Sequence, residues 1–155
     1  MSRVEDRATY VIINAKSGTV MDLSGADNES GMYLHLQIDH WINSTMQLSD
    51  TQATAGRTSR TNEGWHLRNV DKGTYLAVGG EIRDDTRLIA RDEPFTWHLW
   101  DDEQNRAAVR ICVPDTQENV DLTNYGGLQD GTRIAIWGRW EPGENQTWFF
   151  EKVDN

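Results

Sequence analysis

The stretch Asn145-Gln146-Thr147-Trp148, followed by two phenylalanines, decides the fold because related phrases occur twice earlier in the chain. Asn62-Glu63-Gly64-Trp65 and Pro94-Phe95-Thr96-Trp97 each place a tryptophan in a similar frame, with a leucine two positions further on. Three related phrases in 155 residues predict three copies of one structural unit. We expect the three tryptophans to lie at equivalent places in the core, because large aromatic side chains dominate cores.

A turn pattern recurs with the tryptophan phrases. Residues 14–22 contain Asn, Gly and Asp at intervals of four, and residues 69–77 contain Asn, Gly and Ala at the same intervals. Further on, Val120-Asp121-Leu122 corresponds to Met21-Asp22-Leu23. This agreement in spacing is stronger evidence of internal duplication than any single motif.

Short β-rich runs broken by turns fill each unit, and no segment keeps a helical period. About four strands in each of three units are too few for a propeller. They predict an all-β fold, a β-trefoil whose closed sheet leaves no exposed edges. We expect one domain over residues 1–155, with repeats at about 8–67, 68–106 and 107–155. The polar segment 43–61 is expected to be a long surface loop or a short helix.

Composition excludes several classes of function. The net charge of -10 argues against nucleic acid and against anionic membrane surfaces. Cys112 is the single cysteine, so no intrachain disulfide can form. The charged N-terminal residues lack the apolar core of a signal peptide, and no stretch approaches the about 20 apolar residues of a spanning helix. We therefore expect a cytoplasmic protein without membrane insertion.

The sequence offers little support for an enzyme. Cys112 sits in an apolar strand pattern, where an inert buried thiol is expected rather than a nucleophile. The four histidines show no metal-ligand spacing, so we predict no metal and no cofactor. The acidic groups at 84–85 and 101–103 lie between strands and are expected to be solvated, although two carboxylates could in principle hydrolyse a glycoside.

The Asn-Gln-x-Trp phrase, the three-fold repeat and the aspartate after the first glycine turn together resemble the ricin B-chain-like β-trefoil lectins, over essentially the whole chain. The single cysteine and the charged N-terminus resemble the cytosolic mushroom lectins of that family. Only the third unit keeps the family's Gln-x-Trp, at Gln146 and Trp148; Glu63 and Phe95 replace the glutamine elsewhere.

The resemblance implies a non-enzymatic protein that binds terminal galactose or N-acetylgalactosamine on glycoproteins or glycolipids. In this family an aspartate accepts bonds from neighbouring sugar hydroxyls, and an aromatic ring or imidazole lies against the apolar sugar face. A carboxylate accepts several bonds at once, and charge-assisted bonds are the stronger kind. By the same resemblance we expect a role in defence against animals that graze on fungi, and two sites or a homodimer to strengthen weak single-site binding.

In the first unit the resemblance assigns sugar contacts at the aspartate turn and at the following hairpin. The assigned residues are Asp22, Gly25, His40, Trp41, Asn43 and Asn62. A turn-forming role for Asp22, a solvated loop position for His40 and backbone capping by Asn62 remain the structural alternatives.

The other two units differ from the first. Ala77 stands where the second unit needs its aspartate, so we predict that this pocket is inactive. The third unit keeps Asp121, with Trp137 as the stacking ring and Asn145 as the polar contact, and Trp140 is expected to narrow this pocket. We rank the third site below the first, and we expect Gln146 to support the hairpin rather than the sugar.

A protein-binding trefoil, such as a protease inhibitor, is the alternative function. Such a protein acts through one exposed loop, and residues 44–61 could provide it. An inhibitor would have no reason to combine Asp22 with His40 and Asn43, which favours the lectin.

Overall fold

A computed structural model describes residues 4–22, 33–35, 45–50, 64–129 and 131–153. Within these ranges the chain forms twelve strands, all paired antiparallel in one sheet system. The strands are β1 (Thr9–Asn14), β2 (Val20–Asp22), β3 (Tyr33–His35), β4 (Thr45–Asp50), β5 (Gly64–Asn69), β6 (Tyr75–Val78), β7 (Leu88–Arg91), β8 (Trp97–Asp101), β9 (Val109–Cys112), β10 (Glu118–Leu122), β11 (Thr132–Gly138) and β12 (Trp148–Lys152).

Six strands close into a barrel. β1 pairs with β12, β12 with β9, β9 with β8, β8 with β5, β5 with β4, and β4 again with β1. The other six strands form three hairpins, β2–β3, β6–β7 and β10–β11. A closed barrel with one hairpin for each third of the ring confirms the predicted β-trefoil and its four strands per repeat.

The core fills the barrel and the base of the hairpins. Trp97 and Trp148 are completely buried. The indole Nε1 of Trp97 donates to the Leu76 carbonyl at 2.9 Å, and that of Trp148 donates to the Val120 carbonyl at 3.1 Å. Leu76 and Val120 directly precede Ala77 and Asp121. The two tryptophans therefore occupy equivalent places, as predicted, and each is anchored beside the residue that decides its pocket.

Trp65 is buried as predicted, but its predicted equivalence to the other two tryptophans is wrong. It lies in β5, whereas the strand that closes the first repeat is β4. Met46 faces Asn69 across the β4–β5 pair, as Trp148 faces Asn14 across the β12–β1 pair. Met46 thus takes the closing position in the first repeat. Trp65 fills the same core from the neighbouring strand, which a short sequence phrase cannot distinguish.

Two boundaries change as a result. Residues 67 and 68 both belong to β5, so the predicted junction between the first two repeats divides one strand. The segment 43–61 was predicted to be a loop or a helix, but residues 45–50 form β4. The apolar Met46 and Leu48 of this strand are fully buried, which outweighs the polar composition around them.

The repeated turn has the same geometry in the first two repeats. The Gly18 amide donates to the Asn14 carbonyl and the Gly73 amide to the Asn69 carbonyl, both at 2.8 Å. Both glycines have φ of 74°, a left-handed conformation that L side chains rarely adopt. In the third repeat the Val113 amide donates to the Glu118 carbonyl across the corresponding turn, as Asn14 donates to Thr19 and Asn69 to Thr74, although this turn lacks the Asn and the Gly. The turn therefore depends on the strand frame more than on this pair of residue types.

Candidate functional site

The third repeat contains an open pocket of about 920 Å³. Its predicted members come from three elements: Asp121 from β10, Trp137 from β11, and Asn145 from a short 3-10 helix, Glu144–Gln146. The lining residues are Asp84, Asp85, Asp121, Thr123, Asn124, Tyr125, Gln129, Gly131, Thr132, Arg133, Trp137, Gly138, Arg139, Trp140 and Asn145. The structure thus brings together all three residues that the sequence places in this site.

Gln146 holds the Asp121 carboxylate from behind. Its Nε2 donates to Asp121 Oδ2 at 2.9 Å and to the Gly138 carbonyl at 3.1 Å. Its Oε1 accepts from the Trp140 amide at 3.2 Å. Gln146 is completely buried, which agrees with the prediction that it supports the hairpin.

A buried arginine extends this network into the core. Arg110 donates from Nη1 to Gln146 Oε1 and to Asn119 Oδ1, both at 3.0 Å. Its Nε donates to Asp102 Oδ1 at 2.9 Å, and Asp102 is buried, so the expectation that residues 101–103 are all solvated is wrong for Asp102. Arg110 therefore orients Gln146, and Gln146 orients Asp121. The sequence predicts that Arg110 lies in an apolar strand. A charged residue inside such a strand was the one sign in the sequence of a buried polar network.

The pocket wall beyond β11 depends on the same arginine. Arg110 Nη2 donates to the carbonyls of Trp140 and Pro142, at 3.2 and 3.0 Å. The loop then turns at Gly143, with φ of 55°, where an added Cβ would lie 2.3 Å from the Trp140 carbonyl oxygen. Only glycine fits this close approach. The two hydrogen bonds from Arg110 hold the loop that carries Trp140.

Asp121 is an unusual carboxyl group. Burial raises the pKa of Asp121 to about 6, and Asp85 and Asp84 add to the rise, while hydrogen bonds from Gln146 and Asn145 oppose it. Only 5% of the residue is exposed. At neutral pH the group is ionised yet poorly solvated, and any hydroxyl donor in the pocket would relieve this.

Asn145 and Trp137 complete the predicted set. Asn145 Nδ2 donates to the Leu122 carbonyl at 3.1 Å, while its buried Oδ1 has no hydrogen-bond partner among the described residues. Trp137 is 39% exposed, so part of its ring is available on the pocket surface. The three residues therefore place a carboxylate, a buried amide and a partly exposed aromatic ring in one lining.

Two further aromatic side chains line the pocket. Tyr125 and Trp140 pack edge to face, with ring centroids 6.3 Å apart and an interplanar angle of 84°. Trp140 is therefore part of the pocket wall, as expected. Tyr125 was not singled out from the sequence, because its turn becomes part of the pocket only when β10 and β11 pair.

The second repeat also contributes to this pocket. Asp84 Oδ1 accepts from the Gly138 amide at 2.8 Å, and Asp85 forms an ion pair with Arg133. The Asp85 amide donates to the Ile136 carbonyl at 2.9 Å. Both aspartates are exposed, as predicted for a solvated loop, but hydrogen bonds and an ion pair attach the loop to β11. This contact joins residues 54 positions apart in the chain, and no motif in the sequence predicts it.

Glu118 lies against the same loop. Burial raises the pKa of Glu118 to about 7, and hydrogen bonding to Asp84 and its negative charge add to the rise. Its buried Oε2 has no donor among the described residues, which fits a carboxyl group that becomes protonated and donates to Asp84. The nearby Asp84 carboxylate therefore favours the protonated form of Glu118.

In the first repeat the structure describes only part of the predicted site. Asp22 ends β2, is 6% exposed, and stands opposite Tyr33 of β3. The remaining predicted members lie outside the described residues: Gly25, His40, Trp41, Asn43 and Asn62. Asn62 is predicted as a sugar contact because Asn62-Glu63-Gly64-Trp65 aligns with Asn145-Gln146-Thr147-Trp148. Trp65 does not close this repeat, so this alignment no longer supports a sugar contact at Asn62. Asn43 instead precedes Met46 by three residues, as Asn145 precedes Trp148.

Strand register identifies one more position in the first repeat. Asp121 stands opposite Ala135, two residues before Trp137, and Asp22 stands opposite Tyr33, two residues before His35. His35 therefore has the register position in β3 that Trp137 has in β11. The sequence alone predicts His40 in this role, from the likeness of its hairpin to that of the family.

The second repeat keeps the frame but not the chemistry. Ala77 is completely buried in β6, at the place of Asp121. Phe95 replaces Gln146 and packs against Trp97, with ring centroids 4.7 Å apart. This position therefore has neither the acceptor nor the amide that would orient it.

Other reactive groups are unremarkable. Burial raises the pKa of the Cys112 thiol to about 11, so the nucleophilic thiolate is scarce at neutral pH. Among the described residues no three histidine, cysteine or acidic side chains are grouped to hold a metal ion. The part of the chain that the structure describes has no helix with the length and apolarity to cross a membrane.

Comparisons with known proteins agree on the family. A family model described as "Ricin-type beta-trefoil lectin domain-like" matches residues 47–137. The structure is similar to a ricin B-like lectin of Macrolepiota procera, solved with lactose, with 38% identity, a TM-score of 0.84, and coverage of 98% of this chain and 100% of that one. No curated protein sequence matches the chain.

Two more distant structures share the fold. The Rhizoctonia solani agglutinin has 18% identity and a TM-score of 0.76, over 99% of this chain and 100% of that one. The C-half of an earthworm R-type lectin, solved with N-acetylgalactosamine, has 14% identity and a TM-score of 0.61, over 94% and 99%.

Proposed function

We propose a sugar specificity for this chain, which belongs to the ricin-type β-trefoil lectin family and is a carbohydrate-binding protein. Its ligands are glycans that end in galactose or N-acetylgalactosamine, on glycoproteins or glycolipids. The similar Macrolepiota procera lectin, at 38% identity, was solved with lactose, a galactoside. This likeness supports galactose as the terminal sugar, and the third-repeat pocket supplies groups suited to it.

The single observation that carries the proposal is the Asp121 carboxylate held by Gln146 inside a pocket shared with Trp137 and Asn145. Neighbouring sugar hydroxyls can donate to one carboxylate, which accepts about four bonds. Asn145 lies in the same lining and holds the end of β10 through its bond to the Leu122 carbonyl. The exposed part of Trp137 can cover the C–H face of the sugar at little cost in conformational entropy.

The first repeat is proposed as a second galactose site. Asp22 follows Met21 at the end of β2, as Asp121 follows Val120 in β10. Its other proposed contacts remain those expected from the resemblance, with Asn43 supported by its spacing before Met46 and with His35 added from strand register. The second repeat is proposed to be inactive.

Isosteric variants of the two aspartates test this assignment. Single sites of this kind bind monosaccharides at about millimolar Kd, so calorimetry with lactose and a glycan array should be used together. We expect Asp121→Asn and Asp22→Asn each to remove one site, and the double variant to lose galactoside binding while thermal unfolding stays cooperative. Full binding by the double variant, or no glycan binding by the wild type, would refute the proposed function.

The biological role follows from the family resemblance alone. We propose defence against animals that graze on fungi, with avidity from two sites in one chain or from a homodimer. Feeding the protein to nematodes, with the double aspartate variant as the control, tests this role. Equal harm from both proteins would separate any toxicity from sugar binding.

A further inference from the structure

The third-repeat pocket is larger than a single sugar needs. Its volume of about 920 Å³ is near the top of the range of about 300–1,000 Å³ that holds drug-sized ligands. Asp121, Trp137 and Asn145 account for one terminal hexose. The remaining lining is mostly polar but includes two aromatic side chains, Tyr125 and Trp140, to which a single bound sugar gives no role.

Tyr125 and Trp140 form this aromatic part of the lining. Their rings meet edge to face at 6.3 Å, and 75% of Tyr125 and 38% of Trp140 are exposed. Exposed aromatic rings beside a polar pocket can cover the C–H faces of a second sugar. The pair contacts itself rather than the core, so burial in the core does not explain its position.

The backbone segments that carry both rings are held in place before any ligand arrives. Asn124 and Tyr125 have φ of 57° and 52°, a left-handed conformation that is uncommon outside glycine and clusters at functional sites. Thr123 Oγ1 donates to the Arg133 carbonyl at 2.7 Å and ties this turn to β11. The Trp140 backbone is held by Gln146 and Arg110. Such preorganisation lowers the entropy that a ligand must lose on binding.

The charges of the pocket favour a neutral ligand. The arginines of the lining are already paired, Arg133 with Asp85 and Arg139 with Glu141. Asp84 and Asp121 have no cationic partner in the lining. An acidic sugar would therefore bring its charge close to carboxylates whose repulsion is not compensated.

We propose that this pocket takes a neutral oligosaccharide of at least two sugar units, with its terminal hexose on Asp121, Trp137 and Asn145 and its second sugar against Tyr125 and Trp140. The proposal rests on the proposed function, because it extends the same site. It assigns Tyr125 a role in selecting the length of the glycan.

The test follows the indole N–H signals of Trp137 and Trp140 by NMR in the full chain, because these two rings report on the third pocket only. Methyl β-galactoside and lactose are titrated into the wild type, Tyr125→Asn and Trp100→Leu. Asparagine tolerates the left-handed conformation and so removes the ring while keeping the turn. Trp100 is 43% exposed on β8 and serves as the matched aromatic control.

We expect the wild type and Trp100→Leu to bind lactose roughly five- to tenfold more tightly than methyl β-galactoside, as one aromatic contact can supply. In Tyr125→Asn this preference should fall to about twofold or less, with little change for the monosaccharide. Equal Kd values for both ligands in the wild type, or an equal loss for both in Tyr125→Asn, would overturn the extended site alone.

Two further outcomes separate the parts of the proposal. If neither ligand shifts the Trp137 signal, the third pocket is not a galactose site and the proposed function of this repeat fails with it. Sialyllactose should bind more weakly than lactose at the same reporters. Tighter binding of this acidic sugar would overturn the preference for neutral glycans.

Discussion

The second and third repeats share a frame but differ in what the frame presents. Trp97 and Trp148 each donate an indole hydrogen bond to the residue before the pocket position. That position is the buried Ala77 in one repeat and the buried Asp121 in the other. The barrel therefore forms with either residue at the pocket position. A binding site also needs the hydrogen bond from Gln146 that holds Asp121.

The second repeat has also become part of its neighbour's site. Asp84 and Asp85 come from its hairpin loop and bond to β11 of the third repeat. A repeat without its own acceptor can therefore still contribute to the pocket of the neighbouring repeat. The pockets of a trefoil are thus not three independent copies.

The largest expected effect comes from the buried network of the third repeat. Arg110→Met should lower the free energy of unfolding by about 3–5 kcal/mol, because it leaves the buried Asp102 carboxylate without its partner. Urea unfolding measures this. Arg106→Met removes an exposed arginine and should change stability by less than about 0.5 kcal/mol. Similar effects of the two variants would mean that the buried Arg110 network does not stabilise the fold.

A transplanted acceptor should fail in the second repeat. Ala77→Asp buries a carboxyl group where Phe95 stands in place of the orienting Gln146, so stability should fall by roughly 2 kcal/mol or more. No extra galactoside site should appear by calorimetry. Ala107→Asp, at an exposed position, is the matched control. A third binding site in Ala77→Asp would show that the aspartate alone is sufficient.

Acid should weaken the third site. Asp121 has a pKa of about 6 in the free protein, so its charge is lost as pH falls through that value. Charge-assisted bonds exceed neutral ones by about 1 kcal/mol, so affinity at this site should fall roughly fivefold from pH 7 to 5. NMR titration of the Trp137 indole measures it.

The same raised pKa acts on stability with the opposite sign. The folded chain binds the Asp121 proton more tightly than the unfolded chain, so this group destabilises the fold progressively as pH rises from about 4 to 6. Asp121→Asn should remove this contribution to the pH dependence of unfolding. Glu118→Gln is the control for the second carboxyl group that titrates nearby, with its pKa of about 7. An unchanged pH profile in Asp121→Asn would exclude Asp121 as its origin.

The smallest effect concerns the loop from the second repeat. Asp84→Asn keeps an acceptor for the Gly138 amide but removes a negative charge from the pocket. The ratio of lactose to sialyllactose affinity should fall about two- to threefold at low salt, since an exposed charge contributes less than about 1 kcal/mol. Glu151→Gln removes an exposed charge outside the pocket lining and should leave the ratio unchanged. Equal affinity ratios in the two variants would mean that the second repeat does not contribute to the selectivity of the site.

Much of the fold and part of the site could be predicted from sequence. The spacing of turns and tryptophans predicted the trefoil, because a repeated unit leaves a repeated pattern. The same pattern predicted Asp121, Trp137 and Asn145 in one site, and all three line one pocket in the structure. Trp65 was misplaced because adjacent strands of a barrel fill one core, and a tryptophan phrase fits either strand.

The sequence by itself determined the three-fold β fold, the missing acceptor at Ala77 and the residue types of the third pocket. These depend on local periodicity and on which side chains can accept a hydrogen bond. Only the tertiary structure decided that Arg110 orients Asp121 through Gln146, that Asp84 reaches across from another repeat, and that Tyr125 meets Trp140. Those contacts join residues distant in sequence, and they exist only once barrel closure brings the strands and hairpins together.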